Sequence, residues 1–144
     1  GFERFIAAME SAAAAEADPF DSLLAFGRSY VRFAASNAGW FRLQFSRAWN
    51  EELARRAGVH QRLAPAQAAR QRFLEKLAGV LPDGSGQAAD LYRLVWGTAH
   101  GLATFVVERV FQLVHTDEER IAAADEALRI LAASLRALRE AARS

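Results

Sequence analysis

The 144-residue chain contains no cysteine, only three prolines and three histidines, and almost no net charge. Without cysteine it can form no disulfide bond, thiolate metal site or cysteine nucleophile, which is typical of cytosolic proteins. Its 18 basic residues are balanced by 17 acidic residues, so the chain lacks the general basic field that would hold a polyanion such as DNA. We therefore expect poor nucleic-acid binding from these residues alone.

Long hydrophobic runs and catalytic motifs are also missing. No apolar run reaches the roughly 18 residues of a membrane span, and the N-terminus has no signal-peptide pattern, so we expect a cytoplasmic chain without membrane contact. His60, His100 and His115 do not have the spacing of a metal motif, and no GxSxG or phosphate-binding glycine loop is present. We expect no enzyme activity, no bound metal and no cofactor.

What the chain has in abundance is alanine, and its apolar residues follow helical spacing without strand-like alternation. We expect one all-α domain, a helical bundle of six or seven helices. The chain opens inside a helical pattern, which indicates that it belongs to a larger protein. Asp18 followed by Pro19 predicts a helix start, because the aspartate can cap the helix and proline suits its first position. Asn37 is expected to cap a short helix that contains Trp40 and Trp49.

The second half of the chain gives further helix signals. A polar segment, Glu51–Ala64, is predicted as a loop or frayed helix, and Pro65 is expected to start the next helix. Thr116 and Glu119 form a predicted capping box, in which each side chain accepts from the backbone N–H of the other residue. The last helix then has a heptad-like apolar seam, which requires a helical partner along its length. This seam comprises Ile121, Ala124, Leu128, Leu131, Leu135, Leu138 and Ala142.

The stretch Asp90–Phe111 is apolar on more than one side when it is read as a helix. A helix with two apolar faces needs two partners. One face can line the core, and the other must meet a helix from this chain or from a second copy. The first stripe contains Leu91, Leu94 or Val95, Thr98, Leu102, Phe105 and Val106, and the second contains Trp96, His100, Ala103, Val107, Val110 and Phe111.

Aromatic residues of three predicted helices are expected to face the Asp90–Phe111 helix. Such residues, with a few polar groups among them, are the usual lining of a small-molecule site. They are equally the material of a filled core, so both interpretations stay open. The predicted ligand-binding residues are Phe26, Tyr30, Phe45, Trp49, Trp96, His100 and Thr104.

His100 is the polar group of greatest interest because it lies one turn after Trp96 on the same helix. It is either a buried neutral imidazole bonded to a core hydroxyl or carbonyl group, or a polar anchor for a ligand. Thr104, one turn further on, is a possible partner in both cases. Either place disfavours the imidazolium, so we expect His100 to be neutral at pH 7.

Three stretches resemble the C-terminal, effector-binding half of TetR-family transcriptional regulators. They are GFERF at the start, DPFDSLLAFGRSYVRFAASNAGWFRLQFS from Asp18, and VWGTAHGL from Val95. The last is similar to the Trp-His-Gly motif that names one subgroup, with Trp96, His100 and Gly101 in the motif positions. The resemblance covers most of the chain, so residues 1–144 are identified as one ligand-binding and dimerisation domain.

The resemblance implies a homodimer in which the last two long helices of each subunit form a four-helix bundle. The family's N-terminal helix-turn-helix domain is absent from this chain, so DNA binding is expected only through that domain of the parent protein. The two-faced stretch and the heptad seam agree with this arrangement. The predicted dimer-interface residues are Val107, Phe111, Leu128, Leu131, Leu135 and Leu138.

Two functions remain open at this point. The resemblance implies an effector-sensing and dimerisation domain, whose apolar or amphipathic small-molecule ligand alters DNA binding by the parent regulator. The residues alone also allow a free-standing helical carrier or an enzyme for apolar small molecules. A basic helix-turn-helix segment of about 50 residues upstream of Gly1 would favour the first function.

Overall fold

The computed structural model describes residues 2–47, 51–52, 55, 68, 71–72, 74–76, 78, 80 and 85–143. These residues form helices and no strands, which confirms the all-α prediction. Trp49 and most of the predicted loop and helix between Glu51 and Val80 lie outside the described residues. The helices with defined bounds are α1 (Phe2–Ala14), α2 (Pro19–Ser36), α3 (Ala38–Gln44), α4 (Ser85–Glu108) and α5 (Asp117–Arg143).

Helix α2 begins as its sequence predicts and ends differently from the prediction. Asp18 Oδ1 accepts from the backbone N–H of Phe20 at 2.9 Å and of Asp21 at 3.0 Å. The Asn37 side chain does not cap α3. Instead its Nδ2 donates to the Phe33 carbonyl at 2.9 Å, which also accepts from the backbone N–H of Asn37 at 3.0 Å. Helix α3 ends at Gln44, well short of Trp49.

The central helix of the described fold is α2, which contacts each of the other four helices. Tyr30 and Ala34 of α2 are fully buried, and α1, α4 and α5 are arranged around the buried side of this helix. Gly27 faces Leu128 of α5, and a Cβ atom there would lie 2.8 Å from Leu128 Cδ2, so a larger residue would require the leucine side chain to move.

Helix α4 buries one stripe of residues and leaves another exposed. Leu94 and Phe105, which the sequence pattern placed in an apolar stripe, are 49% and 47% exposed. Val110 and Phe111 are not part of the helix, because α4 ends at Glu108 and Arg109 takes a left-handed backbone with φ 57°. The buried residues of α4 are Leu91, Val95, Ala99, Ala103, Val106 and Val107.

The start of α5 confirms half of the predicted capping box. Thr116 Oγ1 accepts from the Glu119 N–H at 3.1 Å, but Glu119 Oε2 accepts from the His115 N–H at 2.9 Å and not from Thr116. These backbone hydrogen bonds, with that of His115 first, hold the pKa of Glu119 below its ordinary value despite some desolvation. Leu128 and Leu135 of the heptad seam are buried against the rest of the chain.

Arginine side chains join helices across the outside of the bundle. Arg28 of α2 forms a bidentate pair with Asp125 of α5, in which Nη2 lies 3.1 Å from Oδ2. Burial opposes the ionised form of Asp125, but the hydrogen bond and charge of Arg28 hold its pKa below the ordinary value. Arg42 of α3 donates to the Val107 carbonyl at 2.9 Å and to Glu108 at 2.7 Å, near the end of α4.

Candidate ligand site around His100

The imidazole of His100 links α4 to α2 through one short hydrogen bond. His100 Nδ1 lies 2.7 Å from the hydroxyl of Tyr30, whose side chain is fully buried. Thr104, the other predicted partner, donates from Oγ1 to the backbone carbonyl of His100 at 2.9 Å. The core hydroxyl bonded to the imidazole is therefore that of Tyr30.

The direction of this hydrogen bond follows from the burial of both groups. Burial raises the pKa of Tyr30 far above its ordinary value, and burial lowers the pKa of His100. Tyr30 is thus a neutral hydroxyl, and its proton has no acceptor other than His100 among the described contacts. If His100 donated instead, that proton would be left unpaired inside the core, at a cost of ~1–3 kcal/mol. Tyr30 therefore donates to Nδ1.

This assignment fixes the second ring nitrogen of His100. A neutral imidazole with an accepting Nδ1 carries its proton on Nε2. No described residue accepts from Nε2, so the ring has one hydrogen-bond donor still free among the described residues. The site can therefore offer a directed N–H group to an acceptor atom.

Aromatic rings surround the imidazole on several sides. Trp96 stacks on it with a centroid distance of 5.2 Å and an interplanar angle of 15°, and the Phe45 ring lies 4.5 Å away at 64°. Phe41 is 5.3 Å away and is almost wholly buried. An N–H group within such an apolar wall is the arrangement typical of a small-molecule site.

The structure brings together four of the predicted ligand residues, Tyr30, Phe45, Trp96 and His100. Phe26 lies elsewhere, in a cleft that is also lined by α1, Arg72 and Lys76. Trp49 is outside the described residues. Phe41 also belongs to this ring cluster, which comprises Tyr30, Phe41, Phe45, Trp96 and His100. Phe41 was missed, although it lies in the aromatic-rich segment that the sequence pattern identified.

The predicted dimer residues have different environments within one chain. Val107, Leu128 and Leu135 are buried in the chain's own core, whereas Leu138 is 61% exposed. Phe111 and Leu131 are partly buried against that core. Leu94, Phe105 and Ile130 were not in the predicted set, but they are exposed apolar residues of the same two helices.

Other classes of site have no support in the part of the chain that the structure describes. That part holds no group of three or more His, Cys, Asp or Glu side chains that could bind a metal ion. None of its helices combines the length and hydropathy needed to cross a membrane.

The lowered pKa of His100 predicts a pH-dependent stability. In the unfolded chain histidine titrates near pH ~6.5, so between that pH and the lower folded-state pKa the unfolded state binds more protons. The contribution of neutral His100 to the free energy of unfolding is therefore complete above pH ~6.5, and it is lost as the pH falls through the folded-state pKa. Denaturant melts from about pH 7.5 to about pH 5 should show a flatter pH dependence for His100→Gln than for the natural sequence.

The matched control is His115→Gln, because His115 is exposed and lies outside the ring cluster. The pH dependence of the melts should differ from that of the natural sequence more for His100→Gln than for His115→Gln. Equal pH dependence of the His100→Gln variant and the natural sequence would show that the fold does not hold the partly buried His100 ring neutral.

Comparison with known proteins places the chain among regulator domains. A family profile described as tetracyclin repressor-like, C-terminal domain, matches residues 23–124. The curated proteins and the solved structures gave no match. The profile does not identify a subgroup, so the Trp-His-Gly assignment stays a prediction. Because the match spans more than half of the sequence, the chain belongs to the tetracyclin repressor-like C-terminal domain family.

Proposed function

We propose that this domain binds a small-molecule effector and dimerises, and that the effector alters DNA binding by the parent regulator. The family supports a ligand-binding and dimerisation role in general. The main support for the proposal is that two sides of α4 have different environments. On one side Trp96 and His100 belong to the ring cluster, and on the opposite side Leu94 and Phe105 are exposed. One rigid helix would thus connect the ligand to the dimer.

The exposed side of α4 supports a helical partner. Leu94, Gly97, Gly101 and Phe105 follow helical spacing along it and carry no charge. A Cβ atom at Gly97 or Gly101 would meet nothing within 4 Å, so packing within one chain does not require glycine there. Glycine in a helix interior costs ~1 kcal/mol relative to alanine, and close approach of a partner helix would account for it.

Helix α5 has an exposed side of the same kind. Ile130 and Leu138 are each 61% exposed, and Ser134 lies between them along the helix. Helices α4 and α5 contact each other. Two copies that bring these sides together would form the four-helix bundle expected from the resemblance. The proposed dimer face therefore consists of Leu94, Gly97, Gly101, Phe105, Ile130, Ser134 and Leu138.

The ring cluster indicates what the effector presents. His100 Nε2–H is a single donor among aromatic rings, so it suits an acceptor such as a carbonyl oxygen on an apolar or amphipathic molecule. A regulatory role without catalysis agrees with the family. No separate observation favours a free-standing carrier or an enzyme.

The dimer is tested by introducing charge into the proposed face. Phe105→Glu and Ile130→Glu should each shift the domain from dimer to monomer, because an unpaired carboxylate would be desolvated at the interface. Analytical ultracentrifugation at tens of micromolar gives the oligomeric state. Leu43→Glu is the matched control, since Leu43 is 51% exposed but lies on α3. A natural domain that stays monomeric, or glutamate variants that stay dimeric, would contradict the proposed face.

The effector is tested by a thermal-shift screen of small amphipathic molecules. A molecule at 100 times its dissociation constant should add ~2.7 kcal/mol of stability. For a molecule found in this way, His100→Gln should weaken binding by the ~1–3 kcal/mol of a lost buried hydrogen bond, while the dimer persists. If His100→Gln lowers stability and leaves affinity among folded molecules unchanged, His100 is a packing residue and not an effector contact.

A further inference from the structure

A concave region lies between α1, α2, Arg72 and Lys76, and it shares no residue with the ring cluster around His100. Its volume is about 410 Å³, within the range of small-ligand sites. The apolar wall is formed by Ala7, Ala13 and Ala14 of α1 and by Phe26 of α2. Three charged residues, Glu10, Arg72 and Lys76, complete the lining. An apolar wall beside charged groups suits an amphipathic molecule.

Lys76 is the best-fixed cation of the cleft. Its Nζ donates to the Ala13 carbonyl at 3.0 Å and to Ser22 Oγ at 2.8 Å. Ser22, which is buried, in turn donates to the same carbonyl at 2.7 Å. An ammonium group has three donors, and the third has no acceptor among the described residues. One N–H of Lys76 is therefore available to a ligand at a defined position in the cleft.

Glu10 is a carboxylate that is bonded on one side only. Arg72 Nη1 lies 3.2 Å from Glu10 Oε2, but Oε1 is buried and has no hydrogen-bond partner within the described structure. A buried acceptor without a donor costs free energy, so a donor supplied by a ligand would be favoured there. Arg72 makes no other hydrogen bond to the described residues, so its remaining N–H groups can also bind an acceptor.

The charges of the cleft determine the ligand class. The two cations Lys76 and Arg72 and the one anion Glu10 give the lining of the cleft a net charge of +1, which favours an anionic ligand. Glu10 in addition favours a ligand with a hydrogen-bond donor close to the anionic group. We propose that the cleft binds an amphipathic acid. Its carboxylate contacts Lys76 and Arg72, an N–H or O–H group next to the carboxylate donates to Glu10, and its apolar chain lies along Phe26. N-acyl amino acids have this combination of groups.

This inference goes beyond the proposed function, because the cleft is separate from His100 and binding of the acid does not require the domain to be a sensor. Phe26 belongs to the same helix as Tyr30, one turn away. A ligand in the cleft would therefore contact α1 and the central helix together. The ligand class and the site can be tested directly, without the parent regulator.

The first experiment uses three related ligands and the unmodified domain. Isothermal titration calorimetry should show that N-decanoylglycine binds at least about tenfold more tightly than its methyl ester, which lacks the charge. It should also bind more tightly than N-decanoylsarcosine, which keeps the carboxylate and the chain but lacks the N–H. Absence of N-decanoylglycine binding, or equal binding of the acid and the ester, would overturn the inference.

Substitutions then locate the site. Lys76→Gln and Arg72→Gln should each weaken N-decanoylglycine binding by at least about tenfold. Glu10→Met keeps the length of the side chain and removes the acceptor, so the preference for the glycine derivative over the sarcosine derivative should vanish. If Lys76→Gln does not fold, the three-ligand comparison on the unmodified domain still decides the ligand class.

Two control variants separate this site from other places on the domain. Arg32→Gln changes a cation that lines a different groove of about 580 Å³ between α1 and α2, and it should leave binding unchanged. His100→Gln should also leave binding unchanged. If His100→Gln weakens binding while Lys76→Gln does not, the acid binds at the ring cluster. That result would overturn this inference and leave the effector-sensing proposal intact.

Discussion

The buried hydroxyl of Tyr30 is the constraint on which the arrangement of α2 and α4 depends. A hydroxyl group taken fully out of water must donate to something, and His100 Nδ1 at 2.7 Å is the acceptor that the described residues provide. The same tyrosine ring packs edge-on against Phe5 of α1 at 4.9 Å. Tyr30 therefore joins α1, α2 and α4 at one point, and any shift of α4 along α2 would break its hydrogen bond.

The Tyr30 hydrogen bond also explains how His100 can both stabilise the fold and bind the proposed effector. Tyr30 uses Nδ1 of the imidazole and so leaves the proton on Nε2, among the rings of Trp96 and Phe45. The structural hydrogen bond thus prepares the donor that we propose for the effector. On the opposite side of α4, Leu94 and Phe105 remain exposed. A ligand that moved His100 would move the proposed dimer face with it.

Local sequence signals predicted the elements of this fold well. Asp18 and Pro19 mark the start of α2, and Thr116 caps Glu119 at the start of α5, because capping involves neighbours in the chain. The choice of partner could not be predicted in the same way. Periodicity showed that Leu128 lies in an apolar seam. In the structure Leu128 packs against Gly27 of the same chain. Periodicity alone does not distinguish a partner in the same chain from one in a second copy.

Contacts between residues far apart in the sequence were the least predictable part of the structure. Arg28 and Asp125 lie 97 positions apart, and charge type alone does not select one acid among 17. The Tyr30–His100 contact spans 70 positions and was expected only as some core hydroxyl or carbonyl. Lys76, the one lysine among 18 basic residues, was overlooked. Its position in the cleft is fixed by a carbonyl and a hydroxyl group that only the fold brings together.

The central claim is that Tyr30 donates to His100 Nδ1 and thereby fixes a neutral imidazole with its proton on Nε2. Nitrogen NMR of isotope-labelled histidine at about pH 7.5 measures the protonation of each ring nitrogen directly. For the unmodified domain we predict an unprotonated Nδ1 and a protonated Nε2 at His100, and a mixture of the two tautomers in Tyr30→Phe. A proton on Nδ1 in the unmodified domain, or a His100 signal unaffected by Tyr30→Phe, would contradict the account.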